Sequence, residues 1–133
     1  MSVALAVISW RDDEEIPVES VDDAERSLDA IETSCDRSLP PIVLVDRGRS
    51  GCMDIRSGHE MSALHHVAAD GNPPYMVTVG LHPDDHRETD FWYFTHHTPA
   101  IGRHLIAVAQ ARRGMRWFLE HGTLAPFLTW EAV

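Results

Sequence analysis

The sequence predicts an α+β fold, a single mainly antiparallel β-sheet with two main α-helices packed on it. Three observations carry that expectation. Short runs rich in Val, Ile and aromatic residues recur through the middle of the chain. The segments between them are short and rich in Gly, Pro, Asn and Asp, which suits hairpin turns. Two other stretches, one near each end, place apolar residues at three- and four-residue steps, the period of a helix face.

Taken in order, Val3 to Trp10 reads as a strand, ended by the acidic run Asp12-Asp13-Glu14-Glu15 and by Pro17. Ser20 is a helix N-cap, with Asp23 three residues on as a weak capping box. Val21, Ala24, Leu28, Ile31 and Cys35 then share one helix face, while Asp22, Glu25, Arg26, Asp29 and Glu32 fall on the others. Pro40-Pro41 breaks the chain before a strand over Ile42 to Val45. Gly48, Gly51 and Gly58 punctuate a hairpin through Cys52 to Arg56. Met61 to Ala68, Tyr75 to Leu81 and Phe91 to Thr95 read as further strands, with a polar loop over His82 to Asp90. In the aromatic run, alternation puts Phe91 and Tyr93 on one face and Trp92 and Phe94 on the other, leaving one face open as a binding surface. The period changes at the end: Val108, Ala111, Met115, Phe118 and Leu119 form a helical stripe, with Gly114 inside it for close packing. Gly122 is its C′ residue and Phe127 to Trp130 a last strand.

The 133 residues fit one domain, residues 1–133, large enough for a single core. Charge is the unusual feature. There are 21 acidic residues against 11 basic ones, all of them Arg, for a net charge of −10. Eleven of the acids and two of the arginines lie in residues 1–36. That block reads as a solvated turn and helix face, and equally as an anionic surface aimed at a basic partner. So acidic a chain is unsuited to gripping a phosphate backbone or an anionic membrane, so neither nucleic acid nor membrane is an expected partner. Cys35 and Cys52 form no Cys-x-x-Cys pair, so a reduced, cytoplasmic chain without a cysteine zinc site is expected.

Catalytic patterns are scarce. No Gly-x-Ser-x-Gly elbow and no phosphate-binding loop is present. Cys52 with a distant His is the only conceivable nucleophile pair. Nine histidines invite a metal reading, strongest for His82, His86 and Asp90, which defines one alternative function, a small metal-dependent hydrolase. Pro83 interrupts regular helix between His82 and His86, so the spacing does not align them, and the expectation is no metal and no cofactor. A second alternative is a non-catalytic ligand-binding or adaptor domain.

Ala111 to Trp130, with Phe118, Leu119, Gly122, Pro126 and Trp130, resembles the closing motif of the Imm-one family of immunity proteins from bacterial polymorphic toxin systems. Pro126 stands about one residue late and Gly114 replaces a more usual Ala-like residue. The resemblance implies an α+β immunity protein whose partner is a toxin, commonly of the nucleic-acid deaminase fold. It implies structural roles for the motif: Phe118 and Leu119 anchor the helix, Gly122 caps it, and Trp130 seals the core or its edge. The charge distribution nominates a toxin-binding surface at Asp12, Asp13, Glu14 and Glu15, and then at Asp84, Asp85, Glu88 and Asp90. The expected complex is one-to-one, with a basic toxin surface and no turnover. Nothing in the sequence argues for a homo-oligomer.

Overall fold

The structure is a computed structural model and describes residues 4–11 and 14–133. Strands β1 (Ala6–Arg11) and β2 (Glu14–Val18) precede helix α1 (Val21–Ser34), β3 (Ile42–Asp46) and β4 (Cys52–Arg56). Then come β5 (Met61–Ser62), β6 (Leu64–Val67), β7 (Met76–Thr78), β8 (Glu88–Thr89), β9 (Trp92–Tyr93) and β10 (His96–His97). The chain closes with β11 (Ala100–Ile101), β12 (Ile106–Ala107), α2 (Val108–His121) and β13 (Trp130–Ala132). Seven strands form one sheet in the order β13-β7-β6-β4-β3-β1-β2, with every neighbouring pair antiparallel. Three small two-stranded sheets pair β9 with β10, β8 with β11, and β5 with β12. The fold is α+β.

Both helices cover the same face. Ala24, Leu28 and Ile31 of α1 share one core with Ala111, Met115, Phe118 and Leu119 of α2. The sheet meets them with Ile8, Val43, Val45, Met53, Ile55 and Leu64, which alternation places on a single side. Each of the large side chains there stabilises the fold by about 1.5–3 kcal/mol through burial. On the opposite side a smaller cluster joins Ile42 to Phe91 and Ala100, with Tyr93 packed against it.

The helix ends follow their sequence signals. Ser20 Oγ accepts from the Asp23 backbone N–H at 3.1 Å, and Asp23 reaches back to the Glu19 N–H at 3.1 Å. Gly122 ends α2 at φ 74°, and its N–H donates to the Phe118 carbonyl at 2.7 Å. A side chain there would also collide with Arg47 Nη1, whose Nε donates to the Leu119 carbonyl at 3.0 Å. Glycine therefore serves both the left-handed turn and the arginine that caps the helix's negative end. Gly114 lets α2 sit down: a Cβ would lie 2.6 Å from methyl carbons of both Leu64 and Leu128. Phe118 and Leu119 are fully buried, Pro126 is exposed, and Trp130 is half-buried at the core's edge with its indole N–H on the Ala125 carbonyl at 3.0 Å.

Several expectations need correction. Glu14 and Glu15 do not end a strand but begin one: β2 pairs with β1, with Ile8 opposite Ile16 and Ala6 opposite Val18. Pro17 is tolerated because β2 is an edge strand and its missing N–H is needed by no neighbour. Met61 to Ala68 divides into β5 and β6, which pair with different strands. Phe91 to Thr95 is not one strand, because the chain reverses at Phe94 and Thr95 into β10. The last strand begins at Trp130 rather than Phe127.

Candidate functional site

Asp12 and Asp13 lie outside the described residues. Glu14 and Glu15 are exposed on β2, at one edge of the sheet. Glu14 meets Arg11 at 3.9 Å, a loose pair with both side chains more than half exposed. Acids and a proline on an edge strand also deter pairing with another chain's strand, so these residues have a structural use as well. The second acidic group is elsewhere. Arg103 ties the Pro83 carbonyl to Glu131 of β13, which places Asp84 and Asp85 beside the opposite edge. Asp84 and Asp85 therefore do not share a surface with Glu14 and Glu15.

Within the second group the charges are partly spent. Asp85 is clasped by Arg87 through two 3.0 Å hydrogen bonds, and these hold its carboxyl at about 2. Asp90 Oδ1 meets His97 Nε2 at 2.7 Å. Asp84 and Glu88 are exposed and make no ion pair among the described residues.

The acids of α1 are answered by α2. Arg112 Nη2 donates to Asp29 at 2.8 Å and to the Glu25 carbonyl at 3.2 Å, and its Nη1 lies 3.3 Å from Glu32. Arg116 reaches Glu25 at 2.9 Å, Asp22 at 3.4 Å and Glu120 at 2.7 Å. Four of the helix's carboxylates thus face arginines one helix away. Opposite charge here joins two elements of the fold rather than facing a partner.

An aromatic groove of about 310 Å³ opens next to β2's neighbour β1. Trp10, Leu39, Pro41, Trp92 and Phe94 line it, with Arg11 and Asp36 at its polar positions. Trp92 and Phe94 share this groove while Phe91 and Tyr93 belong to the other cluster, but Phe94 reaches the groove from the turn, where its ring packs on that of Tyr93 at 4.4 Å. The Arg11 guanidinium lies over the Trp10 ring at 4.1 Å. Asp36 Oδ1 accepts from the Ser38 N–H and hydroxyl at 2.9 and 2.6 Å, which lowers its carboxyl below the usual range. Phe94 holds φ 54°, the only non-glycine residue at positive φ among those described.

The sheet face away from the helices carries Asp54, with His65 directly opposite on β6. Asp54 pairs with Arg56 and meets His65 Nδ1 at 3.3 Å. Cys52 lies two residues from Asp54 and so on the same face. Asp54 and His65 are thereby in contact, with Cys52 further along the same face. Their electrostatics oppose nucleophilic use: burial, then Asp46 and Asp54, push the Cys52 thiol up to about 12. At neutral pH it is protonated and a weak nucleophile. Among the described residues no three His, Cys, Asp or Glu side chains converge to hold a metal ion, His82, His86 and Asp90 included. No helix among the described residues is long and apolar enough to cross a membrane.

No protein-family model matches the chain, and no curated protein matches its sequence.

Proposed function

We propose that this chain is an immunity protein that binds a cognate bacterial polymorphic toxin, of the nucleic-acid deaminase class, and neutralises it by covering its basic active-site groove. The observation that carries the reading is the closing motif. Phe118 and Leu119 of α2 are buried, Gly122 ends that helix, and Trp130 is half-buried at the core's edge, an arrangement that supports the roles the resemblance implies. The net charge of −10 supports it too, since carboxylates set where phosphates would lie compete for the same cationic groove. Inhibition is steric and electrostatic, cytoplasmic, without cofactor or turnover. Opposite charge speeds encounter, and apolar anchors slow dissociation.

The test is co-expression with the toxin domain encoded beside this chain, one of the two tagged. The expected result is a one-to-one complex whose association slows as salt rises and which relieves the toxin's growth defect. No complex and no protection would overturn the reading.

A further inference from the structure

We infer that the groove between Trp10, Leu39, Trp92 and Phe94 is the docking site for an arginine side chain on a basic protein partner. This rests on the reading above and deepens it by naming the surface used.

Phe94 occupies a strained turn. The β9–β10 register sets His96 opposite Tyr93, so Phe94 and Thr95 form a two-residue loop. Such loops need positive φ at the first position, which Gly or Asn supplies without strain. Phenylalanine at φ 54° works against local stability. Its ring packs on that of Tyr93 at 4.4 Å and also lines the groove shared with Trp92, where Leu39 remains 48% exposed. A cavity of about 310 Å³ suits one long side chain rather than a large cofactor.

Charge selects the occupant. Asp36 lines the groove, and Glu14 stands opposite the lining residue Arg11 on the edge strand. Asp36 Oδ2 has no partner among the described residues. Aromatic faces attract guanidinium groups, and Trp10 already carries that of Arg11 at 4.1 Å. Among the described residues Arg11 meets the Trp10 face and, at 3.9 Å, Glu14, a loose pair with both side chains more than half exposed, so an incoming arginine can take its place. A second exposed aromatic patch supplies the contrast. Trp117 stacks on His121 at 4.0 Å and meets Phe127 edge-on, with Arg113 over Phe127 at 5.0 Å. In that patch the neighbouring carboxylate, Glu120, is already taken by Arg116 at 2.7 Å, whereas Asp36 pairs with no cation among the described residues.

The experiment measures affinity for the toxin domain encoded beside this chain, using Phe94→Gly, Phe94→Asn, Trp92→Ala and, as the distant control, Phe127→Ala. Phe94→Gly and Phe94→Asn should keep or raise Tm while raising Kd at least about thirtyfold, as loss of an anchor does. Trp92→Ala should raise Kd likewise, and Phe127→Ala should leave it within about twofold. Wild-type affinity in both Phe94 variants, with the wild type binding normally, overturns the groove and leaves the immunity reading standing. Loss confined to Phe127→Ala overturns it in favour of the other patch. A wild-type dimer that Phe94→Gly splits would give the groove to a second copy and overturn it. Failure of the wild type itself to bind overturns both readings.

Discussion

Helix α1 and strand β2 are both acidic and lie in the same quarter of the chain, yet the fold treats them oppositely. The α1 carboxylates Asp22, Glu25, Asp29 and Glu32 are met by Arg112 and Arg116, so that much of the helix's charge is compensated within the molecule. Strand β2 presents Glu14 and Glu15 to solvent with one loose pair to Arg11. The difference teaches that composition counts charge, whereas tertiary pairing decides how much of it faces outward. Arg112 is only 18% exposed, so its pairs act in a partly desolvated setting, where charge-assisted hydrogen bonds are stronger than on open surface. Glu14 and Glu15 contribute little to the fold and remain available for long-range attraction.

The comparison breaks most severely if α2 leaves α1. Phe118→Ala removes a fully buried ring from the core that seats α2 and should cost about 3–5 kcal/mol by urea denaturation. Arg112→Ala attacks the clasp itself, leaving Asp29 and Glu32 uncompensated, and should cost about 1–3 kcal/mol. An unchanged urea midpoint would mean that the α1 acids are as idle structurally as those of β2. Reversing Glu14 and Glu15 to Arg sharpens the other side. Stability should move by no more than about 0.5 kcal/mol, while toxin association slows and loses much of its salt dependence. A loss of fold instead, seen by circular dichroism, would make β2's charge structural.

The smallest expected effect concerns a third carboxylate. Hydrogen bonds from Arg103, helped by His104, hold Glu131 at about 2 against an ordinary 4.5. The folded state thus binds this proton less readily than the unfolded chain. Its stabilisation is complete above about 4.5 and is lost as pH falls from there towards 2. Glu131→Gln should therefore flatten the acid limb of the pH–stability curve in that window and leave its neutral side nearly parallel. Identical acid limbs for wild type and variant would show that the Arg103 clasp does not discriminate charged from neutral Glu131.

Much of this architecture was legible in local pattern. The stripe Ala24, Leu28, Ile31 and the stripe Ala111, Met115, Phe118, Leu119 are both buried as periodicity required, and Ser20 and Gly122 cap as their residue types suggested. Strand β2 escaped because Glu14, Glu15 and Pro17 look like breakers; the usable signal was the alternation of Glu15 and Pro17 with the inward-facing Ile16 and Val18. Trp92 and Phe94 do share the groove, but Phe94 reaches it from the turn and not by the strand alternation that groups them. The reversal after Tyr93 was not legible, because no Gly or Asn announces it. Nor was the α1–α2 clasp, or the contact of Asp54 with His65, because these join separate elements through pairing that no local rule encodes.

The backbone at Phe94 also bears on how this chain would change over generations. Random drift favours whatever residue relaxes a strained turn, and glycine does so in one substitution while leaving the core untouched. An aromatic side chain is kept at such a place where its ring is used, and here the ring packs on Tyr93 at 4.4 Å as well as lining the groove. Among related chains, covariation of position 94 with a partner's sequence, set against free variation at the more exposed Phe127, would be the historical trace of selection for binding.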